Sequence, residues 1–212
     1  MTTEMMGSWT MLIALGAFHG INPGMGWLFA VALGMQERRR TAVIRALLPL
    51  GAGHALAVAA AVAVALAAGT VIPIHWLRWP VAVFLVALGA MRLFRHKHPR
   101  WASMRVGMGG LTVWSFLMAT AHGAGLMVVP VFVGMNMAGC SHHTQHMIAG
   151  AGAATALVAT ALHSAGYLIV TALVALLVFE KLGVGLLRRA WFNLDLVWAS
   201  ALVATGALTL SL

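Results

Sequence analysis

Charged residues are scarce in this chain, and acidic residues are the scarcest. Only 8% of its 212 residues are charged, four acidic against thirteen Lys and Arg, whereas 62% are hydrophobic. An ordinary soluble domain contains roughly 25% charged residues. The composition therefore excludes a water-soluble fold and predicts an integral membrane protein.

Cysteine and a basic amino-terminal region are lacking as well. Cys140 is the only cysteine, which excludes an internally disulfide-bonded secreted scaffold. The first eight residues contain Glu4 but no Lys or Arg, so they lack the basic region of a cleavable signal peptide. We expect the first apolar segment to remain in the mature protein.

Six apolar stretches are long enough to cross a bilayer, for which a helix needs about 20 largely apolar residues. They cover residues 9–35, 46–69, 79–94, 108–135, 148–179 and 190–210. The predicted fold class is an all-α integral membrane protein with six transmembrane helices in one membrane domain.

The basic residues predict the orientation of these spans. Twelve of the thirteen fall in or beside the first, third and fifth connections, and only Arg78 lies in an even-numbered one. Because cytoplasmic loops are enriched in Lys and Arg, this predicts a multi-pass protein of the cytoplasmic membrane with both termini outside. The net charge of +9 is then explained by membrane topology, with the lipid bilayer as partner and without nucleic acid.

The two halves of the chain contain matching segments in the same order. Ala17-Phe-His-Gly20 aligns with Thr120-Ala-His-Gly123, and Gly53-His-Ala55 aligns with Leu162-His-Ser164. A third pair, residues 85–93 and 202–210, is identical at six of nine positions. Because three spans is an odd number, this predicts a 3+3 inverted repeat of residues 1–106 and 107–212.

The first span of each half is expected to be interrupted. Glycine and proline in corresponding segments of inverted repeats indicate broken helices around a midplane binding site. Backbone carbonyls freed by the prolines are expected beside each motif histidine. The predicted hinge or gate residues of helices 1 and 4 are Gly20, Pro23, Gly24, Gly123, Gly125 and Pro130.

Four histidines lie deep within the predicted spans, two in each half: His19, His54, His122 and His163. Ionisable groups inside a membrane usually face the bundle interior and mark ion or proton pathways. Neutral imidazole is also the commonest protein ligand for metals. We therefore predict a midplane metal site, with Asn22, Met25 and Asp195 as supporting groups.

The fourth connection is rich in sulfur and imidazole and has no formal charge. It contains Met135, Met137, Cys140, His142, His143 and His146. Such ligands favour soft or borderline ions such as Cu(I) or Zn(II). We interpret this segment as an exterior loop that captures metal, the alternative being a polar cap with a free thiol.

The segment His19-Gly-Ile-Asn-Pro-Gly-Met25, followed one span later by Gly53-His-Ala-Leu-Ala-Val58, resembles the nickel/cobalt exporters of the LysE transporter superfamily. His19, Gly20, Pro23 and Gly24 match the first motif of the family, and His54 matches the second. The resemblance implies six helices in an inverted repeat and export or exchange of small solutes or ions. Asn22 replaces a usually acidic residue and Met25 a usual second histidine, which puts nickel or cobalt in doubt.

The favoured function is alternating-access transport of a transition-metal cation, by efflux or exchange. Copper, zinc, nickel and cobalt all remain open, as does a homo-oligomer. The alternatives are a membrane metalloenzyme with a fixed metal at the same histidines, a proton-coupled exporter of small solutes, and a structural membrane protein. The chain contains no haem attachment motif and no flavin or nucleotide fingerprint.

Metal analysis of the detergent-purified protein separates the midplane site from the loop site. If the midplane histidines bind the metal, His19→Ala loses most of it, whereas His142→Ala retains the wild-type content. The opposite pattern would assign metal binding to the exterior loop.

Overall fold

Helices make up all of the regular secondary structure in the described part of the chain. The computed structural model describes residues 3–69, 74–94, 107–138, 148–182 and 194–211, and no strand occurs among them. The helices are α1 (Thr3–Ile21), α2 (Trp27–Glu37), α3 (Arg40–Gly69), α4 (Ile74–Phe94), α5 (Met108–Ala121), α6 (Ala124–Ala138), α7 (Ile148–Leu177) and α8 (Leu194–Ser211).

Two of these helices are long and apolar enough to cross a membrane. They are Arg40–Ala68 and Gly152–Lys181, with mean hydropathies of 2.0 and 2.1. The pair Met108–Ala121 and Ala124–Met135, bent by 59°, gives a third span if it is taken as one. The described residues thus contain two or three candidate spans, and the prediction of six goes beyond this number.

The connection between α2 and α3 is much shorter than the predicted span boundaries suggested. Arg38 ends α2 in the left-handed conformation, with φ of 52°, and its N–H bonds to the Gly34 carbonyl. The next helix already begins at Arg40, six residues before the predicted start of span two. This tight reversal places α2 directly beside α3.

Helices from opposite halves of the chain form the main packing pairs. The helix α1 packs against α7, α3 packs against α5, and α3 also contacts α7. Glycine allows the backbones to approach closely, as small residues do between membrane helices. Gly16 faces the backbone of His163, Gly166 faces that of Ile13, and Gly53 faces that of Thr112.

The α4–α8 contact is reciprocal. A Cβ atom added to Gly89 would lie 2.9 Å from the Ala199 carbonyl oxygen, and one added to Gly206 would lie 3.0 Å from that of Ala82. Gly89 and Gly206 occupy the same position in the aligned segments 85–93 and 202–210. Equivalent residues of the two halves therefore make equivalent contacts.

Each half contains a helix break next to a motif histidine. The first break lies between α1 and α2, where a 3₁₀ turn covers Pro23–Met25 and Gly26 has φ of 128°. The second lies between α5 and α6, at His122 and Gly123, where Gly123 has φ of 72°. Glycine adopts these left-handed angles without the steric penalty of a side chain.

The predicted hinge residues lie at different places around the two breaks: Pro23 and Gly24 are in the 3₁₀ turn, and Gly123 has a positive φ. Gly26 was not among them, although it has the positive φ of the first break. Gly20 instead provides close packing, since a Cβ there would lie 2.6 Å from the Tyr167 carbonyl oxygen. Gly125 and Pro130 lie inside α6.

The α1–α7 contact should not tolerate a side chain at Gly16. Gly16→Ala places a methyl group against the His163 backbone, so we expect a loss of about 1–3 kcal/mol of unfolding free energy from overpacking. Gly109→Ala is the control, because Gly109 has open space around it. Reversible unfolding in detergent measures both, and equal stability of the two variants would contradict the packing.

Candidate functional site

Three motif histidines from three helices form a buried triangle. His19 of α1, His54 of α3 and His163 of α7 are fully buried. Their ring centroids lie 5.8 Å apart for His19 and His54, 5.2 Å for His19 and His163, and 5.4 Å for His54 and His163. We call these three residues the histidine triangle.

Two rings of the triangle have a defined tautomer. Nδ1 of His19 lies 2.7 Å from the Leu15 carbonyl oxygen, and Nδ1 of His163 lies 3.1 Å from that of Leu12. Because a carbonyl oxygen only accepts hydrogen bonds, each Nδ1 is the donor and the lone pair lies on Nε2. Metal-binding histidines characteristically donate their other ring N–H in this way.

The third ring, His54, is held only by packing. Neither Nδ1 nor Nε2 of His54 has a hydrogen-bond partner among the described residues, and neither has Nε2 of His163. The His54 ring instead stacks on Tyr167, with centroids 3.8 Å apart and planes 10° apart. A buried polar group without a partner is costly, so these nitrogens are candidates for binding a ligand.

The fourth motif histidine lies at the second helix break. His122 is buried, and its Nδ1 lies 2.8 Å from the Met118 carbonyl oxygen four residues earlier. His19 makes the same contact with Leu15, at the equivalent position of the first half.

The predicted supporting residues have different positions. Asn22 is buried and caps the 3₁₀ turn, since its Oδ1 accepts a hydrogen bond of 2.9 Å from the Gly24 N–H. Met25 is buried in the same hydrophobic cluster as Tyr167. Asp195 belongs to α8, but its side chain lies outside the described ones.

Most of the predicted metal-capturing loop lies outside the described residues. This applies to Cys140, His142, His143 and His146. Met135 is half-buried near the end of α6, and Met137 follows in the same helix with its side chain not described.

The carbonyls beside the first break are not free, contrary to expectation. Trp27 Nε1 donates to the Ile21 carbonyl at 2.8 Å, and the Tyr167 hydroxyl donates to the Met25 carbonyl at 2.7 Å. The Thr171 hydroxyl lies 3.5 Å from the Gly20 carbonyl oxygen. Side chains thus replace the helical donors that the break removes.

The hydroxyl groups at this break form a second buried cluster. Ser115 donates to the Leu50 carbonyl at 2.6 Å, and Ser115 and Thr171 both lie beside the Tyr167 hydroxyl. We call Ser115, Tyr167 and Thr171 the hydroxyl cluster. Sequence reasoning missed it, although Tyr167 is the only tyrosine of the chain and follows His163 by one helical turn.

The triangle brings imidazoles together without forming a closed metal site. Among the described residues, no group of three or more His, Cys, Asp or Glu side chains has an arrangement that could hold a metal ion. The His54 and His163 planes are stacked only 14° apart, so at least one of these rings must turn before both can bind one ion in their ring planes.

Comparison with protein-family models, curated proteins and solved structures finds no match to this chain.

The Trp27 hydrogen bond should stabilise the first break. Trp27→Phe leaves the Ile21 carbonyl without this donor, and we expect it to lower the unfolding free energy by about 1 kcal/mol more than the control. The control is Trp114→Phe, because the buried Nε1 of Trp114 has no hydrogen-bond partner among the described residues. Equal losses in denaturant unfolding would contradict a stabilising role for this bond.

Proposed function

We propose that this protein is a transition-metal cation transporter of the cytoplasmic membrane, and that the histidine triangle with His122 is its cargo site. The observation that carries the proposal is the meeting of three buried imidazoles from three helices, with ring centroids 5.2 to 5.8 Å apart. Zinc and neighbouring ions bind imidazole nitrogen at about 2.0–2.1 Å, so rings around one ion lie at a comparable separation.

The bonding of the rings supports a metal as the cargo. The carbonyls of Leu15 and Leu12 hold His19 and His163 in the tautomer whose Nε2 can bind a cation. His54 and His163 have ring nitrogens without hydrogen-bond partners among the described residues, and these nitrogens would become ligands of the bound metal. A purely structural histidine in an apolar interior is expected to have its nitrogens satisfied by neighbouring helices.

The stacked planes of His54 and His163 favour transport over a fixed metal, because they do not preorganise the two rings around one ion. A resident catalytic metal needs three preorganised ligands and an open position. A transported ion must be released in each cycle, which suits rings that turn to bind it. A membrane metalloenzyme at the same histidines is the alternative, and it predicts tight stoichiometric metal that survives chelation.

The proposed architecture is a six-span bundle with a 3+3 inverted repeat, similar to that of the LysE transporter superfamily. It is supported by the equivalent contacts of Gly89 and Gly206 and by the two helix breaks beside His19 and His122. The pairing of α1 with α7 and of α3 with α5 supports it further. In the proposed repeat α1 corresponds to α5 and α3 to α7, so each of these two helix pairs is the counterpart of the other. Rocking of one half against the other would then expose the site alternately to each side, giving export or exchange.

Zinc flux into proteoliposomes tests the proposal. We expect His54→Ala and His163→Ala each to reduce saturable flux by at least about tenfold, because each removes one of the few metal ligands. Ser164→Ala is the matched control beside His163, and it should transport at the wild-type rate. Size-exclusion elution and thermal unfolding confirm that each variant is folded.

Three results would contradict metal transport at this site. Undiminished flux in the folded His54→Ala and His163→Ala variants would remove the triangle from the pathway. Metal that stays bound after chelation, without flux, would support the metalloenzyme. Flux of a small solute that follows pH without a metal requirement would support a proton relay.

A further inference from the structure

The hydroxyl cluster lies on one side of the histidine triangle. Tyr167 and Thr171 follow His163 by one and two helical turns along α7, toward Glu180. The Glu180 carboxylate pairs with Arg40 at 3.2 Å, at the end of the bundle where α2 ends and α3 begins. The cluster therefore lies between the triangle and this basic end, which the sequence predicts to be cytoplasmic.

The equivalent positions of the other half are apolar. In the alignment of the two halves, Ser115, Tyr167 and Thr171 correspond to Leu12, Val58 and Val62. These three aliphatic side chains are buried in one hydrophobic cluster, which also contains the Tyr167 ring. At these aligned positions the hydroxyl groups thus occur only in the second half of the chain, and the sequence repeat does not account for them.

Tyr167 connects the triangle to the first helix break through two contacts. Its ring is stacked on His54 at 3.8 Å, and its hydroxyl donates to the Met25 carbonyl at 2.7 Å. Met25 is the last residue of the 3₁₀ turn within the break. A movement of His54 is therefore transmitted through one rigid side chain to the break.

Metal binding requires such a movement. A cation lies in the plane of the imidazole that binds it, because the lone pair of the ring nitrogen lies in that plane. The His54 and His163 planes are 14° apart, and the triangle does not form a metal-holding arrangement. Because His54 has no hydrogen bonds to overcome among the described residues, it is the ring most able to turn, and Tyr167 must shift with it.

We propose that Tyr167 is a latch that couples occupancy of the histidine triangle to the first helix break. In the latched state its hydroxyl holds Met25, and its ring holds His54 away from the metal-binding orientation. Cation binding turns His54, displaces the Tyr167 ring and releases the Met25 carbonyl, so that the break can move. This inference rests on the proposed function and names the residue that regulates the same site.

The latch predicts an unusual effect of Tyr167→Phe. The variant keeps the stacked ring but loses the hydrogen bond that competes with metal binding. Removing a competing conformation raises apparent affinity. Because the bond stabilises the latched state by an amount typical of a buried hydrogen bond, we expect the Kd for Zn²⁺ to fall by about tenfold.

Ser115→Ala is the matched control for this measurement. It removes a buried hydroxyl of the same cluster, but its hydrogen bond is to Leu50 in α3 and not to the break. Its Kd for Zn²⁺ should stay within about threefold of the wild-type value. A merely structural Tyr167 would give weaker or unchanged binding in Tyr167→Phe, and either result would overturn the latch.

A direct measurement on the wild-type protein needs no variant. Tyr167 is the only tyrosine, so protein labelled with ¹³Cζ-tyrosine in lipid nanodiscs gives one resonance without assignment. Saturating Zn²⁺ should shift this resonance as the hydroxyl loses its acceptor, whereas Mg²⁺ should not.

Calorimetry on the same sample distinguishes the two ways in which the inference can fail. Zn²⁺ that binds without moving the tyrosine resonance overturns the latch and leaves the proposed function intact. If the wild-type protein binds none of Zn²⁺, Cu⁺, Ni²⁺ and Co²⁺, the proposed cargo site is overturned, and the latch with it.

Discussion

The close backbone contact between α1 and α7 determines where the candidate site lies. Gly16 and Gly166 remove the side chains that would hold the two helices apart, each facing the backbone of the other helix. At this separation the Leu12 carbonyl of α1 reaches Nδ1 of His163 in α7. The same contact places the His19 and His163 ring centroids 5.2 Å apart. The helix α3 brings the His54 ring to 5.8 Å from His19 and 5.4 Å from His163. Side chains at these glycine positions would push the two helices apart, and the His19 and His163 rings with them.

The side chains that donate hydrogen bonds around the first helix break have apolar counterparts at the aligned positions of the other half. Backbone carbonyls at the first break accept hydrogen bonds from side chains of α2 and α7, while the corresponding positions of the other half pack as aliphatic groups. In an apolar environment each unpaired polar group costs free energy, and the hydroxyl groups here are paired with backbone carbonyls. In the proposed transporter, this asymmetry would make the two gates unequal, with hydrogen bonds stabilising one of them and hydrophobic packing the other.

Much of this arrangement could be predicted from the sequence, for physical reasons. Scarce charge and long apolar stretches indicate membrane helices, and the two Gly-rich segments indicate helix breaks beside His19 and His122. The grouping of His19, His54 and His163 was expected from their depth and their repeat positions. The hydroxyl cluster could not be predicted, because its contacts join residues distant in sequence, such as Tyr167 and Met25. Gly26 was missed because sequence pattern cannot tell which of several neighbouring glycines adopts a positive φ.

The central claim is that the histidine triangle binds the transported cation. X-ray absorption spectroscopy of the Zn²⁺-loaded protein in nanodiscs tests it most directly, because the distance and the scattering element identify the ligands. The account predicts imidazole nitrogens at about 2.0–2.1 Å, with a reduced imidazole count in His54→Ala. A spectrum without imidazole scattering, or one that His54→Ala leaves unchanged, would contradict it.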